Sequence, residues 1–457
     1  MEAMSENKMG TMPIRKLLVS MSLPAMFSML VQALYNIVDS MFVSKISEDA
    51  LTAVSLVYPV QTLLIAVGVG TSVGVNSLIS RRLGAKRFDE ANNAADHGIF
   101  IGLVNWAIFA LIGVLFGHPI MNSFTDDALV RQMGYSYLII VMTCSFGAFI
   151  EFNTSKTLQA TGNMFYPMVA QLIGAGTNII LDPIMIFGLL GFPKMGVAGA
   201  AVATVIGQIF AMIFSLYALF RRQKEVEISL RTFRPKLSVL KDIYRVGFPS
   251  IIMQAIMSVL VASLNAILIT FSKTAVAFLG IYYKLQSFVF MPVFGLTQGA
   301  MPIMGYNFGA RNKKRLMETL KLTCIIATAI MIVGTLIFQF FPHQLLSIFN
   351  ATDAMYQIGE HALRIMSICF VFAAIGISIS TVFQAIGQGL KSMILSLLRQ
   401  LVLILPIAYF FAKIFGQDAV WYSFVIAELV TAAISIPMVI ATLHKQFRLW
   451  KVTEENK

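Results

Sequence analysis

Unbroken apolar stretches of about 20 residues or more follow one another along this chain, each long enough to cross a bilayer. They predict twelve helices, at roughly 14–44, 50–80, 92–117, 130–150, 157–187, 196–220, 240–271, 275–307, 318–341, 355–378, 382–412 and 418–443. The runs are continuous and not alternating, which argues against a membrane β-barrel. The expected fold is an all-α integral membrane protein with twelve transmembrane helices.

The pattern also repeats. Residues 24–162 align with 249–387 at a fixed offset of 225, without insertion or deletion. Pro24 meets Pro249, Tyr58 meets Tyr283, and Gly70, Gly74, Gly84 and Ala85 meet Gly295, Gly299, Gly309 and Ala310. Cys144 meets Cys369, and Gln159-Ala160-x-Gly162 meets Gln384-Ala385-x-Gly387. Six helices per unit is an even number, so both units begin on the same side of the membrane and form parallel repeats, the signature of a secondary transporter. The expected organisation is an N-lobe at 1–220, a charged linker at 221–240 and a C-lobe at 241–457. Two such lobes suggest a central cavity that opens to one side at a time.

Composition agrees with this: of 457 residues, 58% are hydrophobic and 12% charged, more apolar surface than a soluble chain of this size can hide. The net charge of +12 raises nucleic-acid binding, but the basic residues follow topology. They gather in the even loops and the termini (Arg81, Arg82, Lys86 and Arg87, then Arg221 to Lys241, then Arg311 to Arg315, then Lys445, Arg448 and Lys451), while the odd loops hold one each. That asymmetry is the positive-inside rule and predicts two cytoplasmic termini. No basic stripe with interleaved aromatics points to nucleic acid. Lys8, Arg15 and Lys16 precede an apolar segment without a small-residue cleavage site, which reads as an uncleaved first helix. Gly68, Gly70 and Gly74 have the wrong spacing for a phosphate loop and read as a close helix contact. Cys144, Cys324 and Cys369 lie in apolar helices and read as small core residues, and no ligand-spaced His or Cys cluster suggests a transition metal. Nothing points to an enzyme or a cofactor: there is no nucleophile–base pair, metal cluster or cofactor loop.

Charges inside a bilayer cost several kcal/mol and need a reason. Gln32, Tyr35 and Asn36 stand seven, four and three residues before Asp39, so all four share one helical face. In the fifth predicted helix Asn178 lies four residues before Asp182, with Gln171 on the same face. A carboxylate with an amide one turn away can offer oxygens to Na⁺; buried, it can carry a proton instead. A static polar clamp between helices is the plainer alternative. The duplication separates the halves: Asp39 maps to Leu264 and Asp182 to Ile407. The C-terminal half is expected to bury Lys284, Arg364 and Arg399 instead, with Glu428 able to pair with one of them. Internal ion pairing or snorkelling would account for these bases, as would electrostatic shaping of a cavity. Glu151 and Lys156 read as an interfacial pair, and Asn153 as a candidate for the N-lobe cavity.

These motifs resemble the multidrug and toxic compound extrusion (MATE) family over essentially the whole chain. The residues that carry the likeness are Pro24, Gln32-x-x-Tyr35-Asn36-x-x-Asp39, Leu83-Gly84-Ala85 with its repeat Phe308-Gly309-Ala310, Leu158-Gln159-Ala160-Thr161-Gly162-Asn163, and Asn178-x-x-x-Asp182-Pro183. Within the family the chain looks like the bacterial branch of multidrug exporters with its key acids in the N-lobe, of the staphylococcal and DNA-damage-inducible types. The resemblance implies a cation site at Asp39, Asn178, Asp182 and Thr204, possible Na⁺ at the first three, a drug surface at Gln32, Tyr35, Asn36 and Asn153, and a hinge at Pro24. It implies H⁺- or Na⁺-coupled antiport of small organic cations and other amphipathic drugs, by a monomer in the bacterial plasma membrane. The rival reading is a flippase for lipid-linked saccharides on a related two-lobe scaffold, in which Lys284, Arg364 and Arg399 would face a pyrophosphate.

Overall fold

The computed structural model describes residues 7–229, 231, 233–349 and 351–455, which are all helix, turn and loop without a strand among them. After a short helix α1 (Lys8–Thr11), the long elements are α2 (Ile14–Ser44), α3 (Glu48–Gly84), α4 (Phe88–Phe124), α5 (Ala128–Thr143), α6 (Phe146–Ala160), α7 (Phe165–Phe187) and α8 (Val197–Arg221). The second half runs through α9 (Leu237–Leu268), α10 (Lys273–Gly309), α11 (Lys313–Phe340), the short α12 (Pro342–Ser347), α13 (Asp353–Ser367) and α14 (Phe370–Ala385). It ends with α15 (Gly389–Leu397), a π-helical stretch (Leu398–Ile404), α16 (Leu405–Phe415), a 3₁₀ turn (Gln417–Trp421) and α17 (Tyr422–Glu455). Among the described residues, ten helices are long and apolar enough to span a membrane, or up to twelve when the bent pairs α5–α6 and α13–α14 each count as one. Rows of exposed apolar side chains, such as Ile108, Leu111, Val114 and Leu115 on α4, are what a helix turns toward lipid.

Two boundaries differ from the sequence expectation. The breaks expected at 150–157 and 378–382 are helical; the chain bends by 45° between α5 and α6 and by 48° between α13 and α14, and turns only after Ala160 and Ala385. Polar residues in 151–157 imitate a loop, yet they are satisfied inside the helix: Thr154 donates to the Ile150 carbonyl and Thr157 to that of Asn153. The true stop is the repeated Gln-Ala-x-Gly run. Gly162 (φ +91°) and Gly387 (φ +81°) take the left-handed conformation that ends a helix. Asn163 N–H then closes on the Leu158 carbonyl at 3.0 Å and Gln388 N–H on that of Phe383 at 2.7 Å. Ser47 and Ser272, also 225 apart, each accept at 3.0 Å from an N–H of the following helix, at Ala50 and Ala275.

The fold divides into two compact units, one of Phe27–Ile251, the other of the residues up to Met26 together with those from Ile252 onward. The divisions fall inside α2 and α9, just after Pro24 and Pro249, where proline removes a backbone hydrogen bond. In the first unit the opening turns of α9 lie on α3 with almost no space: a Cβ at Gly74 would stand 2.2 Å from the Ile243 carbonyl oxygen. In the second the opening turns of α2 lie on α10 in the same way, where a Cβ at Gly299 would stand 2.7 Å from Ser22 Cα. The paired glycines of the repeat are thus the floors of two equivalent helix crossings.

Within the first unit the linker is stitched to α4. Glu227 N–H donates to Asn92 Oδ1 (2.9 Å), Ser229 N–H to Asp96 Oδ1 (3.0 Å) and Lys236 N–H to His97 Nε2 (2.8 Å). His97 Nδ1 lies 2.7 Å from the Asn93 carbonyl, so these partners assign the neutral tautomer with its proton on Nδ1. Phe233 meets the His97 ring edge-on at 4.9 Å.

Candidate cation and substrate site

The polar face of α2 meets α7 and α8 inside the Phe27–Ile251 unit. Asp182 is fully buried on α7, with Asn178 one turn before it and Thr204 across on α8, both buried. The Asn178 amide bridges them: its nitrogen donates to Asp182 Oδ2 at 2.9 Å, and its oxygen accepts from the Thr204 N–H at 2.9 Å. The opposite orientation would set oxygen against carboxylate and nitrogen against N–H, so the network fixes the amide. Thr204 Oγ1 donates back to the Ala200 carbonyl at 3.0 Å. From α2, the Asp39 carboxyl lies beside that of Asp182, and the Tyr35 hydroxyl beside Thr204. Asp182 Oδ1 is buried without a protein partner.

One turn toward the start of α2 the polar face continues as a chain of amides. Gln171 on α7 donates to Gln32 Oε1, and Gln32 Nε2 donates to Asn36 Oδ1 at 3.3 Å. Asn36 is exposed, while Gln32 and Tyr35 are half-buried. Asp39 also borders a cleft of about 190 Å³ with Val43, Leu51, Val54, Ser55 and Tyr58. Drug-sized ligands occupy about 300 Å³ or more, so this cleft suits an ion or water.

The structure therefore gathers Asp39, Asn178, Asp182, Thr204 and Tyr35, with Gln32 and Asn36 adjoining. It does not bring Asn153 to them. That side chain is buried against Gly98 and Gly102 of α4, its amide bonded to the Phe149 carbonyl at 2.9 Å. Glu151 and Lys156 interact electrostatically, as expected of a pair, and each also has a hydrogen-bond partner: Ser155 donates to Glu151, and Lys156 Nζ reaches Gln159 Oε1 at 2.9 Å. Gln171, expected on the face of Asn178 and Asp182, joins the site through Gln32. Tyr58 is the addition, and as one of the repeat pairs it carried a signal.

The second unit corrects the expectation of buried bases. Lys284 and Arg364 are exposed, not buried; Lys284 Nζ lies 6.0 Å from the Phe349 ring centre. Long basic side chains can leave an apolar helix face by extending along it, which their position in an apolar run conceals. Arg399 is held by Glu428 at 3.2 Å, the pairing foreseen for that acid. Pro24 lies within an unbroken α2. Among the described residues no group of three or more His, Cys, Asp or Glu could hold a metal ion, and all three cysteines are free thiols.

Duplicated halves, spans of membrane length and a carboxyl pair sheltered among helices define a multi-pass membrane protein of the transporter class. A family model described as MatE matches residues 24–184 and again 249–410. The chain belongs to the MatE family. It is 27% identical to the multidrug export protein MepA of Staphylococcus aureus (strain MRSA252) over 421 residues, 92% of each chain. The solved outward-facing conformation of a multidrug resistance MATE family transporter of the MOP superfamily superposes with a TM-score of 0.92 at 28% identity, covering 98% of this chain and 100% of that one. A MOP superfamily transporter from Pyrococcus furiosus, described as having a binding pocket of reverse polarity that suggests a different function, matches with a TM-score of 0.91 at 29% identity, covering 98% and 99%.

Proposed function

We propose that this protein is a cation-coupled antiporter that exports organic, often cationic, amphipathic compounds and catalyses no chemical reaction. The observation that carries the reading is the Asp39–Asp182 contact, closed on one side by Asn178 and Thr204. Two carboxyl oxygens can bond only through a proton or a shared cation. The site thus has a reason to load and unload positive charge, and Tyr35 beside it offers an aromatic face to an organic cation. The neighbours' names, multidrug export and multidrug resistance, support the substrate class.

A proton suits the hydrogen-bonded arrangement as it stands, because Asn178 already donates to Asp182. Sodium would require the amide to turn its oxygen inward, joining two carboxylates and the Thr204 hydroxyl in an all-oxygen set. Competition then couples the fluxes: loading the acids cancels the negative charge that attracts the drug, and an alternating-access cycle converts that competition into exchange. The flippase reading is weaker, since Arg399 is neutralised by Glu428 and so offers a pyrophosphate less charge. The charge asymmetry of the loops supports two cytoplasmic termini, and the likeness to bacterial exporters supports a monomer in a bacterial plasma membrane.

Fluorescence-polarisation binding of ethidium tests this directly. Affinity should fall as protons or Na⁺ are added, whichever couples, and Asp39→Asn should weaken binding and flatten that dependence. Ethidium affinity that is indifferent to both ions, and unchanged in Asp39→Asn and Asp182→Asn, would sink the reading.

A further inference from the structure

Buried polar side-chain atoms nearly always find a partner, so those that do not ask for an explanation. In the unit that runs on from Ile252, the described residues contain six such atoms: Tyr282 Oη, Tyr283 Oη, Gln400 Oε1, Trp421 Nε1, Glu428 Oε2 and Thr431 Oγ1. They are not scattered. Glu428 and Thr431, three apart, share one face of α17, and Trp421 stands seven residues before Glu428 as the last residue of the 3₁₀ turn that leads into that helix, the three spanning about 15 Å. Tyr282 packs on the same face, its ring 5.9 Å from that of Phe424, and Tyr283 adjoins it at 5.4 Å. Gln400 follows Arg399 in the π-helical stretch, which packs against α17 and aims the Arg399 guanidinium at Glu428 Oε1. The π-helix is a rare local geometry that concentrates at functional sites.

The chemistry of the six narrows the ligand. One is a donor only (the indole N–H), two are acceptors only (the Gln400 and Glu428 oxygens), and three are hydroxyls that do both. An anion would want donors alone. An organic cation would want unopposed negative charge, and Arg399 opposes Glu428. The mixture fits a small neutral molecule that donates and accepts equally. Water makes about three hydrogen bonds in such sites and is held where several polar groups converge. The charged and titratable groups around Glu428 are Arg399 from the π-helical stretch, Tyr282 from α10 and Cys369 at the start of α14, with Tyr283 beside Arg399. Glu428 is the acid of this set with an oxygen left over after its ion pair.

We propose that this cluster is a binding site for a column of ordered water inside the C-terminal unit, and that Glu428 exchanges its proton with that water. The duplication gives the site a context: Glu428 stands one residue from position 429, which the offset of 225 pairs with Thr204. Each half thus keeps a polar cluster on its last helix, built from different residues. The proposal is independent of the coupling role of Asp39 and Asp182.

Hydroxyl-radical footprinting by X-ray radiolysis, on the full protein in lipid nanodiscs, tests the water. Radicals formed from bound water attack the side chains beside it even when bulk solvent cannot. With each rate normalised to the unfolded chain, Tyr282 and Trp421 should be modified several-fold faster than Phe149 and Phe338, which are as deeply buried. Equal protection of all four would overturn the site. Infrared difference spectra across a pH jump test the proton: the wild type should show a carboxyl band that Glu428→Gln lacks. Identical spectra would mean a fixed charge in a static clamp and overturn the exchange. Should Glu428→Gln fail to fold, Glu428→Asp keeps the carboxyl and must shift the same band; an unshifted band overturns the exchange equally.

Discussion

The two glycine crossings allow a prediction in which the sign of the effect is worked from geometry. An alanine methyl at Gly74 would stand 2.2 Å from the Ile243 carbonyl oxygen and 3.0 Å from Gly247 N; at Gly299 it would stand 2.7 Å from both Ser22 Cα and Ser22 N. Ordinary carbon contacts lie at about 3.5–4.0 Å, so the helices must part by about 1 Å. The obstructing atoms are backbone and cannot rotate away. A gap of that size forfeits about a quarter to a half of each dispersion contact along the crossing, and overpacking of this kind costs about 1–3 kcal/mol. Against it stands the gain of about 0.5–1 kcal/mol when a helical glycine becomes alanine. Gly280 on α10 is the control, since nothing lies within 4 Å of a Cβ there and only the gain remains. Thermal unfolding in detergent should therefore rank Gly280→Ala above the wild type and both Gly74→Ala and Gly299→Ala below it. Gly74→Ala as stable as the wild type would refute the contact, and a destabilised Gly280→Ala would refute the reasoning about sign.

Other outcomes follow from single interactions. Gly162→Ala and Gly387→Ala each force a side chain into the left-handed region, at about 1–2 kcal/mol, and should lower the unfolding temperature to a similar degree in the two halves; an effect at one site alone would deny that the turns are equivalent. His97→Ala removes the acceptor of the Lys236 N–H and the ring that Phe233 packs on, so trypsin should cut the linker at Arg231 several-fold faster, whereas an unchanged rate would mean the linker is held elsewhere. Asn178→Leu fills a similar volume but leaves Asp182 Oδ2 without its donor, a loss of about 1–3 kcal/mol for a buried polar atom; the variant should fold with a reduced melting temperature and lose ion-dependent ethidium binding, and retention of that dependence would remove Asn178 from the site.

Much of this was legible before any coordinates. Continuous apolar runs give helices because lipid leaves the backbone no other way to satisfy its polar groups. The Gln32–Asp39 stripe and the Asn178–Asp182 turn were visible because helical spacing puts them on common faces. What the chain concealed has physical causes. Residues 151–157 look like a loop because hydropathy counts their polar atoms but not the backbone carbonyls that satisfy them. The bends at Cys144 and Cys369 leave no mark, since neither proline nor glycine makes them. Lys284 and Arg364 seemed buried because they sit in apolar helices, whereas burial depends on what each helix face meets. The column of polar atoms around Glu428 comes from three helices distant in sequence, and no single-helix pattern announces it.

The central claim is that the Asp39–Asp182 pair exchanges a cation for a drug, and its most direct test is ethidium efflux from proteoliposomes under an imposed H⁺ or Na⁺ gradient. The account predicts efflux driven by one gradient in the wild type and abolished in both Asp39→Asn and Asp182→Asn, with both variants still folded. Gradient-driven efflux that survives in both variants would contradict it.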